Sequence, residues 1–329
     1  MSDPLPASWP AADEVSGAAV AGRAATVLRP AGALARLDEV AVWLARWQRR
    51  ARPAVEAPVA IVFVADHGVA VEGVSAYPAA VTAAMLGALR DGVATAAAMA
   101  RAVGGRLVTV DVGTGRPTGN LAVEPALSAE RFREAWQAGA AAVRAAAGDL
   151  LVLGEMGIAN TTAAAAVAAA LYGGPVELWV GRGTGIDDAA LARKAAVVER
   201  GRARVGPGAD PLEVLRQVGG AELVAIAGAI VEARLESVPV LLDGYVVTAA
   251  AAAVEVARPG ALDHCLAAHL SPEPGHGALL ERLGQRPLLD LGMRLGEGSG
   301  ALAAVPLVRL AAAAVVDVAT FGERGLSPS

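Results

Sequence analysis

Along the chain, short unbroken apolar runs alternate with longer segments whose apolar positions recur every three or four residues. Residues 37–50 place Val40, Trp43, Leu44 and Trp47 at i, i+3, i+4 and i+7, the stripe of an amphipathic helix facing a core or a dimer interface. Residues 59–65, VAIVFVA, are apolar throughout, which predicts a strand buried on both faces. Residues 78–103 read as one helix and 106–112 as a strand. Residues 128–147 read as a helix with Ser128 as N-cap and Glu130 in the first turn. Residues 150–154 form the next strand, and a helix follows from Asn160 or Thr161.

The second half repeats the alternation. A short strand is expected over 176–181, and a helix over 187–205 opened by the pair Asp187 and Asp188, whose charge suits a helix N-terminus. Helix over 221–235, strand over 238–243, helix over 245–257, strand over 266–270 and helix over 299–320 complete the chain. Strands separated by helices of this length imply right-handed crossovers, hence an α/β fold: a Rossmann-like, mostly parallel sheet flanked by helices. No low-complexity linker divides the chain. Residues 55–295 are expected to form a large α/β substrate-binding domain, and residues 1–54 and 296–329 a small helical domain made from both termini.

Composition sharpens this picture. At 329 residues the chain is long enough to bury a substantial core. Hydrophobic residues make up 55% but aromatics only 3%, which suits close packing of small side chains between helix and sheet. The net charge of −5 is spread without a basic block, so nucleic acid is not an expected partner. The lone cysteine, Cys265, excludes an internal disulfide and points to a reducing, cytoplasmic setting. The N-terminal MSDPLPASWPAADE lacks the features of a signal peptide. The uncharged run 156–176 is long enough to span a bilayer, but its Asn160, Thr161, Thr162, glycine pair and Pro175 favour a buried helix, and no membrane partner is expected.

In parallel sheets ligands bind beyond the carboxyl ends of the strands. The glycine-rich polar segments fall at those positions: DHGVAVEGVSAYP (66–78), GEMGIANTT (154–162), GRGTGIDD (181–188), DGY (243–245), SPEPGHG (271–277) and LGEGSG (295–300). Standard nucleotide motifs fail. The single lysine, Lys194, has no P-loop around it, and G-x-G-x-x-G does not follow the first strand. One cysteine and four scattered histidines give no zinc spacing. What remains are Gly/Thr loops entering helices, which cradle a phosphate through backbone N–H groups. Lys194, two turns into its helix, is either the survivor of a solvated face or the compact charge at such a phosphate. Glu297, between Gly296 and Gly298, is either a turn decoration or a positioned acid/base.

Taken in order, DHGVAVEGVSAYP, GEMGIANTT, GRGTGIDDAALARK, LLDGYVVTAAA, HLSPEPGH and LDLGMRLGEGSGA closely resemble the nicotinate-nucleotide–dimethylbenzimidazole phosphoribosyltransferase family of cobalamin lower-ligand synthesis. The resemblance runs over about residues 30–320. It implies a Rossmann-like large domain, a small helical domain, a homodimer and no cofactor or metal. It also implies the reaction, in which nicotinate mononucleotide and 5,6-dimethylbenzimidazole give α-ribazole 5′-phosphate and nicotinate. By resemblance Glu297 of RLGEG is the general base. The nucleotide region corresponds to Glu155, Met156 and Gly157 of GEMGI, to Gly183 and Thr184 of GTG, and to Lys194 and Ser271. The base pocket corresponds to Ser75, Tyr77, Pro78 and Leu295.

Glu155 is expected to meet substrate through its backbone or simply to cap its own loop. Asp243 is read as a support that orients Ser75 or a ribose hydroxyl, or that satisfies backbone N–H groups. Asp66 and His67 read as a structural pair pinning the loop after the first strand. Two departures from the family stand out: Ala83 and Ala84 lie where Gln is frequent, and Ala159 where Gly is common. Competing functions are the same transfer to another base or phenol, and a non-catalytic nucleotide-binding paralogue. A dehydrogenase is disfavoured by the missing fingerprint.

Overall fold

The computed structural model describes residues 4–327. In chain order they form α1 (Glu14–Ala24), α2 (Arg36–Gln48), β1 (Pro58–Ala65), α3 (Val81–Arg90), α4 (Thr95–Ala102), β2 (Arg106–Gly113), α5 (Ala129–Ala146) and β3 (Leu150–Met156). There follow α6 (Asn160–Tyr172), α7 (Asp188–Val205), α8 (Pro211–Val218), α9 (Ala221–Leu235), β4 (Val240–Leu242), α10 (Tyr245–Ala257), β5 (Cys265–Ala267), α11 (Pro274–Arg282) and α12 (Ser299–Val316). The strands make one parallel sheet in the order β2-β1-β3-β4-β5. The expected α/β class is therefore the observed one.

The apolar run of β1 has a simple reason. Val59, Ile61, Phe63 and Ala65 face a core shared with α5, α6, α9 and α10, while Ala60, Val62 and Val64 face a second core shared with α2, α3, α4 and α12. Every residue of β1 is buried, so no polar face is tolerated. Each such Val, Ile or Phe side chain contributes roughly 1.5–3 kcal/mol on burial. Small residues set the helix spacing: a Cβ on Gly139 of α5 would overlap the Ala225 carbonyl of α9, and one on Gly228 of α9 would overlap the Trp136 carbonyl of α5. Those two helices meet backbone to backbone.

Residues from both chain ends lie together. Val27 and Thr320 form an antiparallel bridge, and Arg23 Nε donates to the Val315 carbonyl at 2.9 Å. Trp43, Leu44 and Trp47 of α2 and Leu302, Val305 and Val308 of α12 are buried in the second core with Val62 and Leu241 of the sheet. By length and composition α12 is apolar enough to cross a membrane, but this inward face is occupied by protein.

Several sequence expectations are corrected. Residues 78–103 are two helices, because the chain turns through Gly92 at φ 72° and Arg101 donates to the Gly92 carbonyl at 2.8 Å. Residues 176–181 form no strand; Val176–Leu178 is a single 3₁₀ turn, with Trp179 Nε1 donating to the Gly173 carbonyl at 2.8 Å and its ring stacked on Tyr172. The strand expected over 266–270 is Cys265–Ala267, after which His269 makes only an isolated bridge to Leu289. The helix expected to reach 320 ends at Val316. Helices α1, α8 and α11 were not foreseen, although Asp210 before Pro211 is a strong start signal for α8.

Candidate active site

Because β2 and β3 lie on opposite sides of β1, the chain reverses its direction of travel between β1 and β3, and a crevice opens beyond their carboxyl ends. Glu155 stands at the end of β3, opposite Phe63 of β1. Its carboxylate accepts from Asn160 Nδ2 in the first turn of α6, so it ties down its own loop. Burial pushes its pKa up to about 8; the charges of Asp243 and Glu222 add to this, and the Asn160 bond opposes it. The loop is also held by α3, where Thr82 Oγ1 accepts from the Ile158 amide at 3.1 Å.

Against the end of β3 lies the loop before α12. Gly296, Glu297 and Gly298 have φ values of 81°, 60° and 78°, three consecutive left-handed residues. For the glutamate this conformation costs about 1–3 kcal/mol, which the surroundings must offset. The Glu297 amide donates to the Glu155 carbonyl at 3.1 Å. The residue is 3% exposed, and its carboxylate accepts at Oε2 from the Ala96 amide, at 3.3 Å, in the first turn of α4. Burial raises the Glu297 pKa above the usual carboxylate range; the Ala96 bond opposes the rise and the Asp243 charge supports it. A Cβ at Gly154 would overlap Gly298 N and Glu297 C, so glycine in β3 is what allows this loop so close. Asp243, at the end of β4, accepts from the Gly298 amide at 3.1 Å and the Ala301 amide at 2.9 Å. Burial carries its pKa up to about 7 despite these bonds.

The opposite wall is built from GRGTGIDD. Asp187 caps α7 by accepting from the Ala190 amide at 2.8 Å. Lys194, 1% exposed, donates from Nζ to Thr161 Oγ1 at 2.8 Å and to the Gly181 carbonyl at 3.0 Å. Burial lowers its pKa to about 8, with the Glu273 charge opposing. Glu273 Oε1 accepts from the Gly183 amide at 2.8 Å, and Arg294 donates to the Gly183 carbonyl at 3.3 Å. The N-terminus of α6 and this loop thus present backbone amides beside a lysine and an arginine, the makings of an anion site.

A histidine fixes the third wall. The Ser271 amide donates to His276 Nδ1 at 3.0 Å, so that nitrogen carries no proton, and Nε2–H donates to Thr248 Oγ1 at 3.0 Å. Burial, then the neighbouring His269, drops the His276 pKa to about 3 and keeps the ring neutral. Ser271 Oγ lies 3.0 Å from the same Nδ1. Among the described residues no three His, Cys, Asp or Glu side chains converge as a metal site.

The family model DBI_PRT, described as a phosphoribosyltransferase, matches residues 9–326. The nicotinate-nucleotide–dimethylbenzimidazole phosphoribosyltransferase of Methylorubrum extorquens is 47% identical over 320 residues, 97% of this chain and 93% of that one. The chain belongs to this phosphoribosyltransferase family. The Methylocella silvestris relative of the same name is 49% identical over 315 residues, 95% of this chain and 92% of its own. The crystal structure of CobT from Thermus thermophilus superposes with a TM-score of 0.91 at 44% identity, covering 96% of this chain and 100% of that one.

Set against the family motifs, the structure gathers most of the expected residues. Glu155, Met156, Gly157, Gly183, Thr184, Ser271, Asp243 and Leu295 line one cleft. Lys194 sits behind that wall and reaches it through Thr161, and Glu297 is buried beside Gly296, which does line it. Ser75, Tyr77 and Pro78 are not among the lining residues; they occupy a surface loop where Tyr77 is 53% exposed and its amide donates to Ser75 Oγ at 3.3 Å. Asp243 bonds backbone amides, as one of its three readings expected. Asp66 Oδ2 accepts from the Gly115 amide at 2.7 Å, and His67 Nε2 lies 2.5 Å from Glu222 Oε1, so each pins a different element.

Sequence reasoning missed Thr161, Glu273, His269, Arg294 and the N-terminus of α4. Thr161 and Glu273 lay inside quoted motifs, GEMGIANTT and SPEPGH, and Arg294 in RLGEG. Nothing in the Ala-rich run 94–100 marked Ala96.

Proposed function

We propose that this protein transfers the 5-phosphoribosyl group of nicotinate mononucleotide to 5,6-dimethylbenzimidazole, releasing nicotinate and α-ribazole 5′-phosphate, with Glu297 as general base. The observation that carries the reading is the buried Glu297, held on a strained loop between Gly296, which lines the cleft, and Gly298. Family membership and the shared name of the relatives support it.

The chemistry follows from the residues. One benzimidazole nitrogen forms a bond to C1′ as the C1′–N bond to nicotinate breaks, its electron pair returning to the pyridine ring and neutralising the pyridinium. The other benzimidazole nitrogen becomes acidic while this happens, and its proton passes to Glu297. A desolvated carboxylate with a raised pKa suits that task, a contribution of roughly 10²–10⁴-fold. Attack opposite the leaving group inverts the anomer from β to α. The phosphate would lie against the GEMGI and GTG amides near Lys194, with Ser271 toward the ribose and Ser75, Tyr77, Pro78 and Leu295 about the incoming base. Alignment of the two reactants supplies the remaining acceleration.

A cytoplasmic homodimer belongs to the same proposal, resting on the motif resemblance and, for the compartment, on the single cysteine. So does the division into an α/β body, residues 55–295, and a helical unit from both ends. The test of the reaction is product analysis with both substrates, comparing wild type with Glu297→Gln. Formation of nicotinate and the α-riboside phosphate, lost by orders of magnitude in the variant, supports the reading. A wild type that binds the nucleotide yet leaves dimethylbenzimidazole untouched overturns the choice of acceptor, and an unimpaired variant overturns the base.

A further inference from the structure

The cap of α12 comes from an unusual place. Its N-cap position is Gly298, which has no side chain to offer the exposed amides of the first turn. Asp243 does that work from β4, more than fifty residues earlier in the chain: Oδ2 takes the Gly298 amide and Oδ1 the Ala301 amide, and the Gly300 and Gly244 amides also bear on it. Moving the cap onto another strand leaves position 298 free to be glycine. That freedom is required, because φ at 298 is 78° and a Cβ there would press Val152 Cγ1 at 3.1 Å. The same carboxylate lies next to Glu297 and lines the cleft.

We propose that Asp243 is a positioning residue for the transfer: it caps, from the end of a neighbouring strand, the loop that carries Glu297, and it sets a second buried carboxylate beside that loop. This rests on the reading of Glu297 as base. Two neighbours of Glu297 pull in opposite directions. The Ala96 amide at the start of α4 donates to Oε2 and favours the ionised, weakly basic form. Asp243 disfavours a second negative charge beside it and favours proton uptake.

The remaining facing groups leave that balance in place. From β3 comes Glu155, whose pKa of about 8 leaves it largely protonated near neutral pH, so it brings little charge to the pair. From the segment after β5 comes His269, whose Nε2 is 3.5 Å from Asp243 Oδ1; burial holds its pKa down, so near neutral pH it brings no cation to cancel Asp243. His276 behind it is neutral for the same reason. Lys194, on the opposite wall, is engaged with Thr161 and Gly181, and Arg294 with Gly183. Among the described residues, Asp243 therefore has no Arg or Lys partner within salt-bridge distance.

The experiment is a carboxyl ¹³C titration of the full-length, unliganded protein, with the Glu297 signal assigned by Glu297→Gln. Asp243→Asn keeps the size of the cap, removes its charge and turns one of its two accepting oxygens into a donor; Gly298→Ala disturbs the loop without touching any charge. The expected result is a Glu297 midpoint moved further to lower pH in Asp243→Asn than in Gly298→Ala, with kcat for the transfer down about 10- to 100-fold in both; equal shifts in the two overturn the electrostatic role. An unchanged midpoint in Asp243→Asn overturns the electrostatic role and leaves a cap alone. Should the Asn variant not fold, the wild type decides: coupled carboxylates titrate in two steps visible at both signals, and two independent single-step curves overturn the proposal. The titration does not depend on turnover, so a failure of the assigned reaction, seen as no nicotinate release by wild type, is distinguishable from a failure here.

Discussion

The backbones of Glu155 and Glu297 are hydrogen-bonded to each other: the amide of the second donates to the carbonyl of the first at 3.1 Å. A loop from the end of the chain is thereby joined to the central edge of the crevice, and two buried carboxylates share one wall. The contact exists because β3 ends in Gly154, Glu155 and Met156, where a side chain at 154 would stand inside the loop.

Gly154→Ala is therefore expected to damage function more than stability. The added methyl meets main-chain atoms of Glu297 and Gly298, which cannot rotate away. Overpacking of this kind costs about 1–3 kcal/mol, whereas a 1 Å displacement of a catalytic group costs on the order of 100-fold in rate. Calorimetry should find a folded protein of lower Tm, and steady-state assay a kcat reduced about 100-fold. A kcat within twofold of wild type would show that the loop is not held by this contact.

Lys194→Met should act on nucleotide affinity. Thr161 Oγ1 and the Gly181 carbonyl lose the ammonium that donates to them, and the wall that carries Gly183 and Thr184 loses its cation. Hydrogen bonds to charged groups are worth about 1.5–3 kcal/mol, so KM for nicotinate mononucleotide should rise roughly 10- to 150-fold with a smaller change in kcat. Lys194→Arg should not rescue, because a planar guanidinium does not fit a site built for a compact ammonium. KM measurements on the three proteins check both statements.

The unliganded protein should lose stability as pH rises from 5 to 7. Glu155 and Asp243 have folded pKa values of about 8 and about 7, raised from 4.5 and 3.8 mainly by burial. Groups raised on folding hold more protons in the native state, so their stabilisation is complete below the unfolded values and is lost as pH climbs through the folded ones. Each contributes a slope of up to about −1.4 kcal/mol per pH unit in this window. Urea unfolding at pH 5, 6 and 7 should show the decline, and Glu155→Gln should flatten it. An equal slope in the variant would place the proton uptake elsewhere.

His67 and Glu222 form a fully buried pair, with His67 Nδ1 and Glu222 Oε2 left without hydrogen-bond partners among the described residues. Removing one member strands the other, at about 3–5 kcal/mol. His67→Gln and Glu222→Gln should each destabilise strongly, and the double variant by clearly less than their sum. A double-variant cycle in denaturant measures the coupling; strict additivity would mean that the two side chains act independently.

Much of this was legible in the residues because some signals are local. β1 announced itself through seven consecutive apolar residues, which only a doubly covered strand needs, and Ser128 and Asp187 marked helix starts that the structure keeps. Five of the six glycine-rich segments contribute to the cleft, although GRGTGIDD follows a 3₁₀ turn and not a strand. Other features were hidden by composition. In the alanine-rich run 78–103 no periodicity distinguishes one helix from two, and only the turn at Gly92 separates them. The Val176 segment has strand-like residues but no neighbouring strand to pair with. The capping of α12 by Asp243 and of Glu297 by Ala96 joins positions far apart in sequence, where no pattern along the chain records a meeting.

The backbone contact between α5 and α9 has a mechanical consequence. With carbonyls seated against Gly139 and Gly228, the two helices have no deformable layer of side chains between them, so they behave as a single stiff plate. Glu222 lies in the first turn of α9 and grips His67, and the His67 ring lies 3.2 Å from where a Cβ on Gly157 would stand, in the GEMGI loop. A single methyl group wedged into the plate at Gly228 would tilt a lever whose short arm is the floor of the proposed nucleotide site, and a lesion on the far side of the sheet from Glu297 would register as weakened substrate binding.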